Sequence, residues 1–487
     1  MKTRSKEILA RLRALRAGDA PTHGGRVLSY VYDSGVAELD ELAAQAAREV
    51  HAVNGLDPTV FPSAGVIESE LVQFARTLFH GDGSVVGNVT TGGTESCILA
   101  VLGARDAASG TAGSSKAGSI VFPITAHAAF RKAAHLLGLE AIVVPVDPVS
   151  GLPSPHGVAD AVRDDTVLVV ASAPSYPFAT LDPIADIAAI TSDRGIAFHV
   201  DACIGGFALP WWGELPAWDF AVPGVTSISA DLHKYGYAPK GASVLLVRGR
   251  DRHRHQYFGT TDWPGYPVVN PTLLGSRSIT SMAAAWAIVT YLGEAGFAEL
   301  TGRMHDSTTA LIAAVRAIPG LRVVGAPAGP LLAVAADADA PEPVDPHLWL
   351  NAVARRGFSL QAQPSLQQPD GTTLPRTTHL TVTPATAVVQ GELVAALVSA
   401  ADEVRGLAPA EPPAALAELA RLFGDGVLTP EQAVSLPSED IYSALQAAGV
   451  TGDGELDMAS ILAGVELLPR DVSARMLIEF LARVIEK

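Results

Sequence analysis

The sequence predicts an α/β protein in which a mainly parallel sheet lies between two helical layers, followed by a smaller α+β unit and a helical extension. Two patterns predict the sheet. Short apolar runs recur at 119–124, 141–146, 167–173, 197–202, 225–230 and 243–247, apolar on both faces as strands covered on both sides must be. Helical stretches at 128–137 and 184–192 fall between them, the alternation that parallel crossovers require. Size is the third observation: 487 residues exceed what one hydrophobic core sustains, so more than one domain is expected.

Taken in order, residues 1–20 alternate basic and apolar side chains (Lys2, Arg4, Lys6, Ile8, Leu9, Leu12, Leu15). They read as a short amphipathic helix and lack the continuous apolar core of a signal peptide. Val36, Leu39, Leu42, Ala43, Ala46 and Val50 recur at helical spacing until Asn54-Gly55 and Pro58 break the pattern. Helices are expected at 68–79 and, after Gly92-Gly93, at 94–107. Beyond the strand-rich region an alanine-rich helix at 276–296 leads out of the sheet, and 321–325, 331–336 and 379–383 read as strands of the smaller unit. The stretch APAEPPAA at 408–415 reads as a linker, and the remainder of the chain to residue 487 has helical periodicity but no candidate chemistry. The expected division is an N-terminal helical segment at 1–60, a large domain at 61–300, a small α+β domain at 301–405, and linker plus helical extension at 406–487.

Charge narrows the function. With 51 acidic against 34 basic residues the formal charge is -17, which gives no electrostatic footing for nucleic-acid binding. The longest apolar runs are strand-length, far below the roughly 20 residues that span a bilayer, so no membrane span is expected. Cys97 and Cys203 are too few for a disulfide framework or a zinc ligand set; no metal is expected, and a reducing, cytoplasmic compartment fits best.

The chemistry concentrates in four segments. SADLHKYGYAPKG at 229–241 places His233-Lys234 just beyond an apolar strand, where open α/β sheets bind ligands. A lone His-Lys pair is more often an ordinary surface pair, but HVDA at 199–202 puts a carboxylate, Asp201, at the end of the preceding strand. A reactive lysine and an aspartate in one crevice are what pyridoxal 5'-phosphate (PLP) needs: an amine for its aldehyde and an anion that keeps its pyridine nitrogen protonated. TTGGTES at 90–96 opens a helix with small residues, a turn suited to a phosphate group, and it gains its meaning from this company. His127, in ITAH at 124–127, is placed to lay its ring on a flat cofactor; His135 reads as structural.

In order, TTGGTES, ITAHAAFRKAA, SAPSYPFATLDPI, FHVDACIGGF, SISADLHKYGYAPKGAS and TLLGSRS resemble the group II PLP-dependent decarboxylase superfamily, and within it most closely the sphingosine-1-phosphate lyases. The resemblance runs from about residue 25 to about 400. It implies the fold-type I architecture, with a mainly parallel, seven-stranded-type sheet, and a homodimer that builds its sites from both subunits. It implies that Lys234 carries the cofactor as a Schiff base, Asp201 pairs with the pyridine nitrogen, and His127 stacks on the ring, with His199 and His233 among the cofactor-binding residues. Gly93, Thr94 and Glu95 would lie along the phosphate-binding turn, and Gly275-Ser276 would reach the cofactor phosphate of the neighbouring subunit. Tyr176 and Tyr32 match tyrosines that line the substrate side and Lys240 a second lysine important in the lyases, and the catalytic residues implied are Lys234, Tyr176, Lys240 and Tyr32.

Two departures bear on substrate. Leu56-Asp57-Pro58 stands where the lyases tend to have Leu-His-Pro, and an aspartate there would repel a phosphate dianion. Pro177-Phe178-Ala179 replaces the usual Pro-His-Gly or Pro-Tyr-Gly, and the membrane anchor of the eukaryotic lyases has no counterpart in residues 1–20. The implied activity on a small-molecule amine is carbon-carbon cleavage at Cα, by retro-aldol release of a fatty aldehyde from a phosphoethanolamine-like amine. The alternatives are an amino-acid decarboxylase releasing CO2 and an inactive scaffold homologue.

Overall fold

A computed structural model describes residues 2–109, 118–450 and 457–486. Helix α1 (Lys2–Leu15) leaves Ile8, Leu9, Leu12 and Leu15 exposed. After it come α2 (Ala37–Glu49) and α3 (Pro62–Leu78), the latter starting earlier than expected because Pro62 occupies its first turn, where a missing N–H costs nothing.

The main sheet contains β1 (Val85–Thr90), β2 (Ser119–Pro123), β3 (Glu140–Val144), β4 (Thr166–Ser172), β5 (Ala197–Asp201), β6 (Ser227–Ala230) and β7 (Ser243–Arg248), in the order β1-β7-β6-β5-β4-β2-β3. Only β7 runs antiparallel to its neighbours, so the other six strands end on one side. Six strands coincide with the expected runs to within two residues at each end. The seventh, β1, has no such run, because Gly87 and Asn88 interrupt it. Gly87 is required there: a Cβ would sit 2.2 Å from the Leu245 carbonyl oxygen on β7.

The period-two alternation of the strands splits the core. Ile120, Phe122, Leu168 and Val170 pack on one face with α4 (Gly93–Ser109) and α5 (Ala128–Leu137), and Val121, Val169, Phe198 and Val200 face the other core. The crossovers α6 (Pro155–Ala161) and α7 (Ile184–Asp193), with α8 (Arg250–Arg254) and the hairpin β8 (Phe258–Thr260) and β9 (Val268–Asn270), complete this part. Each fully buried Phe in the aromatic cluster of Phe79, Phe207 and Phe297 contributes about 2 kcal/mol through apolar burial.

Helix α9 (Thr280–Arg316), kinked at Gly293, passes through position 300, the expected boundary, and its C-terminal half supplies Leu311 and Val315 to a second core. That core belongs to a four-stranded antiparallel sheet in the order β10-β11-β15-β12, formed by β10 (Leu321–Val323), β11 (Leu331–Ala336), β12 (Gln361–Gln363) and β15 (Thr377–Thr381), with α10 (Pro346–Ala354) and α11 (Thr386–Val404) packed on it. The short pair β13 (Leu366–Gln367) and β14 (Thr373–Leu374) lies between β12 and β15 in the chain. Leu28, far earlier in sequence, joins this core through a backbone bond to Ser359. The extension folds into α12 (Ala414–Gly424), α13 (Pro430–Val434), α14 (Ser438–Ala447), α15 (Met458–Leu467) and α16 (Arg470–Ile485), with their own small core around Leu416, Ile441, Leu445 and Met476.

Candidate active site

Because β4, β5 and β6 run parallel, Ser172, Asp201 and Ala230 end side by side, and the loops that come after them wall a cavity of about 600 Å³. β1 ends on the same side and feeds Thr91 and Gly92 into the N-terminus of α4. Asp201, Lys234, His127, His233, Tyr32 and Tyr176 all line this cavity, as do Gly93, Thr94 and Glu95.

Lys234 Nζ lies 3.0 Å from Asp231 Oδ2, and His233 Nε2 lies 3.5 Å from the same oxygen. Burial pushes the Asp231 carboxyl up, but Lys234 and then His233 outweigh it and hold the group below its ordinary range. Lys234 is the mirror case: burial disfavours its charge, yet Asp231, followed by Tyr32, holds it above the ordinary lysine range. Lys234 is therefore held as an ammonium paired with Asp231. Asp231 was not singled out from the sequence, although its position one turn before Lys234 was the available signal.

Asp201 Oδ1 accepts the backbone N–H of Cys203 at 3.0 Å and lies 3.4 Å from the Ser229 hydroxyl, which orients the carboxylate at the strand end. The structure does not place His199 on the cavity. It shares a face of β5 with Asp201 but sits one pleat deeper, fully buried, with Nδ1 at 2.9 Å from Ser227 Oγ and Nε2 at 3.0 Å from Ser229 Oγ. Burial pushes it down to about 4, so it is a neutral ring that reaches Asp201 only through Ser229.

His127 is the N-cap of α5, where its Nδ1 accepts the Ala129 N–H at 3.2 Å. At the start of α4, Gly93 is obligatory: a Cβ would lie 2.8 Å from both Asp231 oxygens and from Cys203 Sγ. Glu95 turns away from the opening, accepting the N–H and hydroxyl of Thr91, both at 2.6 Å, and the Leu273 N–H at 2.8 Å.

The expected substrate residues divide. Burial pushes Tyr32 up to about 12; its ring meets Tyr235 edge-on at 5.1 Å. Burial also raises Tyr176, with partial relief from the Thr381 hydroxyl, and its ring packs 4.3 Å from that of the fully buried His379. Lys240 lies in an adjoining cavity of about 380 Å³ that shares Tyr32 and His233 with the main one. Its Nζ donates to the His233 carbonyl at 3.0 Å and stands 4.5 Å over the Tyr32 ring. Partial burial, and secondly the charge of Lys234, pushes Lys240 down to about 8.

Asp57, Gly275 and Ser276 do not reach the main cavity within one chain. They line another of about 510 Å³, where the Asp57 carboxylate accepts the N–H and hydroxyl of Thr59 at 2.8 and 2.6 Å and Asn54 Nδ2 donates to Ser276 Oγ at 3.2 Å. Asp57 is thus the hinge of a local turn, held below the usual carboxylate range by Thr59.

Three groups on the cavity wall escaped the sequence reading. Tyr30 has φ 59° and is 72% exposed. Gln361 and Gln363 arrive from β12 in the small sheet, and nothing in their local pattern marks them. Cys97 and Cys203, each free and buried, come with Asp201 to within 4.8 Å of one another, a donor set that the two thiols alone did not suggest.

The donor set fits PLP: an amine and a carboxylate at separate strand-end loops of one cavity, and on the same cavity the N-terminus of α4, packed so closely on Asp231 and Cys203 that position 93 admits no Cβ. Fold and site together define a PLP-dependent lyase. A family model described as the pyridoxal-dependent decarboxylase conserved domain matches residues 36–314, and the chain belongs to that family.

Among curated proteins it is 37% identical to the sphingosine-1-phosphate lyase of Drosophila melanogaster over 75% of this chain and 67% of that protein. It is 33% identical to the lyase of Oryza sativa subsp. japonica over 82% and 73%. Other curated relatives are matched over less than two thirds of their length, as with the Dictyostelium discoideum lyase at 54%. The solved structure of the Burkholderia pseudomallei K96243 sphingosine-1-phosphate lyase superimposes with a TM-score of 0.76 at 36% identity, covering 87% of this chain and 94% of that one. A Lactobacillus brevis glutamate decarboxylase, at 21% identity and TM-score 0.70, shares the fold.

Proposed function

We propose that this lyase cleaves the Cα–Cβ bond of a phosphorylated long-chain amino alcohol, releasing a fatty aldehyde and phosphoethanolamine. The observation that carries this reading is Lys240, a lysine pushed down to about 8 in the adjoining cavity, its Nζ 4.5 Å over the ring of Tyr32, which both cavities share. Retro-aldol cleavage needs a base for the β-hydroxyl proton, whereas loss of CO2 from an amino acid has no such proton to remove. When bound, PLP supplies the electron sink for the bond that breaks at Cα.

In this reading Lys234 would hold the cofactor aldehyde, Asp201 its ring nitrogen, and Gly93 and Thr94 its phosphate, with His233 and His127 among the residues that would hold the group. Lys240, working with Tyr32 or Tyr176, removes the hydroxyl proton. The carbon–oxygen bond becomes the aldehyde carbonyl as the Cα–Cβ bond breaks, and Cα then regains a proton.

The working unit in this proposal is a homodimer that brings Asp57 and Gly275-Ser276 to the neighbouring subunit's site. Tyr266 and Val269, both exposed and lining that second cavity, support it, as do the exposed Phe258, Trp263, Leu273 and Leu274 in the same 258–274 stretch, since exposed apolar surface of this kind marks interfaces. A cytoplasmic location is part of the same reading, supported by the two free thiols. Among the described residues no helix is long and apolar enough to cross a membrane.

The test is to incubate the purified protein with sphingosine 1-phosphate and, in parallel, a panel of amino acids, assaying aldehyde and CO2. Aldehyde from the phosphorylated base is the expected result. CO2 from an amino acid without aldehyde moves the chain to the decarboxylases, and a colourless, inert protein supports the scaffold alternative.

A further inference from the structure

We propose that the C-terminal helical unit is a strut for the active-site wall, in which Glu466 on α15 positions the 363–367 segment and, through it, Gln363. The unit lies beyond the residues matched by the family model, and none of its described side chains lines the cavity. It nevertheless grips the segment that does.

The Glu466 side chain is 8% exposed. Its Oε1 accepts the Ser365 N–H at 2.7 Å, and Arg376 Nε donates to Oε1 at 3.0 Å and Oε2 at 2.7 Å. Arg376 also reaches Asp345 Oδ2 at 3.2 Å, and Asp345 caps α10 by accepting the N–H groups of His347 and Leu348, both at 2.9 Å. His347 Nε2 then meets the Gln363 carbonyl at 2.9 Å, and Thr377 donates to the Gln363 side chain at 2.6 Å. A second tie, from Arg470 at the start of α16 to the Gln367 carbonyl, fixes the far end of the same segment.

Gln363 is therefore bounded on one side by the substrate cavity and on the other by a charged network to which the extension contributes the Glu466 carboxylate. A nearly buried carboxylate that satisfies both a guanidinium and a loop N–H fixes that loop; without it the Ser365 N–H loses its acceptor and Arg376 keeps only Asp345. The energy that orders this wall is supplied by helices that take no part in the chemistry.

The inference rests on the cavity being the substrate site, and the test separates the two. In the holoenzyme, Glu466→Ala is expected to raise hydrogen exchange at 361–367. It is also expected to speed the removal of cofactor by hydroxylamine about tenfold, since small displacements of a wall far from the chemistry carry effects of this order. Glu466→Gln, which keeps the acceptor for Ser365, restores most of the native behaviour. Arg470→Ala gives a smaller change of the same kind, and serves if Glu466→Ala does not fold. Asn351→Ala breaks the 2.6 Å contact to Asp457, which joins the extension to α10 without touching the 363–367 segment, and is expected to change neither readout. Unchanged exchange at 361–367 in Glu466→Ala and Arg470→Ala overturns the strut. Raised exchange with an unchanged hydroxylamine rate overturns its link to the cavity. A protein without cofactor absorbance defeats the functional reading, while the exchange data still decide the strut.

Discussion

Lys234 and Lys240 lie on one loop, yet their surroundings move them in opposite directions. Lys234 is the more deeply set, and burial alone would strip its proton; Asp231 at 3.0 Å prevents that and holds it charged. Lys240 is more exposed, but its near neighbours are a carbonyl, an aromatic ring and a second cation, and it falls to about 8. The difference teaches that here the presence of a counter-ion, rather than depth, decides which lysine can act as a base near neutrality.

The strongest break in this comparison is Lys234→Ala, expected to lower activity on the order of 10⁴-fold and to abolish covalent attachment of the cofactor on borohydride reduction. Attachment persisting in that variant would reassign the cofactor lysine.

Asp231→Asn comes next, since it leaves Lys234 without its counter-ion. A loss of about 3 kcal/mol at neutral pH is expected in denaturant titration, as for other broken buried pairs. The sign comes from Asp231 lying below its ordinary 3.8 in the folded state: its contribution is present above that value and fades as pH falls through the folded value. The variant should therefore lose this acid-side dependence, and an unchanged acid limb would show that Asp231 is not the group responsible.

Lys240→Met sharpens the other half, with activity expected to fall about 10²-fold and the limb of the pH profile near 8 to disappear. Below about 8 the folded state carries Lys240 charged against its environment, a cost that fades as pH rises from 8 towards the 10.5 of an unfolded lysine. The variant is thus expected to be no less stable than the native protein at pH 7; a clear destabilisation would mean that Lys240 is structural.

The smallest effect is at Tyr30, whose φ of 59° a glycine adopts freely. Tyr30→Gly is expected to gain about 1 kcal/mol in thermal unfolding, relieving the left-handed strain. If the side chain helps define the cavity mouth, KM should rise while kcat holds.

Legibility tracked the range of each contact. Strands β2 to β7 were readable because burial on both faces forces a continuous apolar run, and Lys234, Asp201, His127 and the Gly93 turn were readable because each sits at the end of such an element. β1 was hidden: its register against β7 demands Gly87, and that glycine spoils the pattern that would have announced it. Asp57 was singled out from its place in a motif; that its carboxylate accepts from Thr59 and lines a second cavity within one chain is a contact only the fold shows.

What the sequence determined by itself is the doubly covered sheet, the strand-end loops that wall the cavity, and the family. These are local properties, set by periodicity and by residues close together in the chain. Tertiary structure alone decided that His199 lies behind the site, that Gln361 and Gln363 close it from another domain, and that Glu466 braces Ser365 across 101 residues of chain. Periodicity shows which face of an element is buried, but not which distant element covers it. The charge state of a lysine depends on that second fact, because a counter-ion stabilises it only at contact distance.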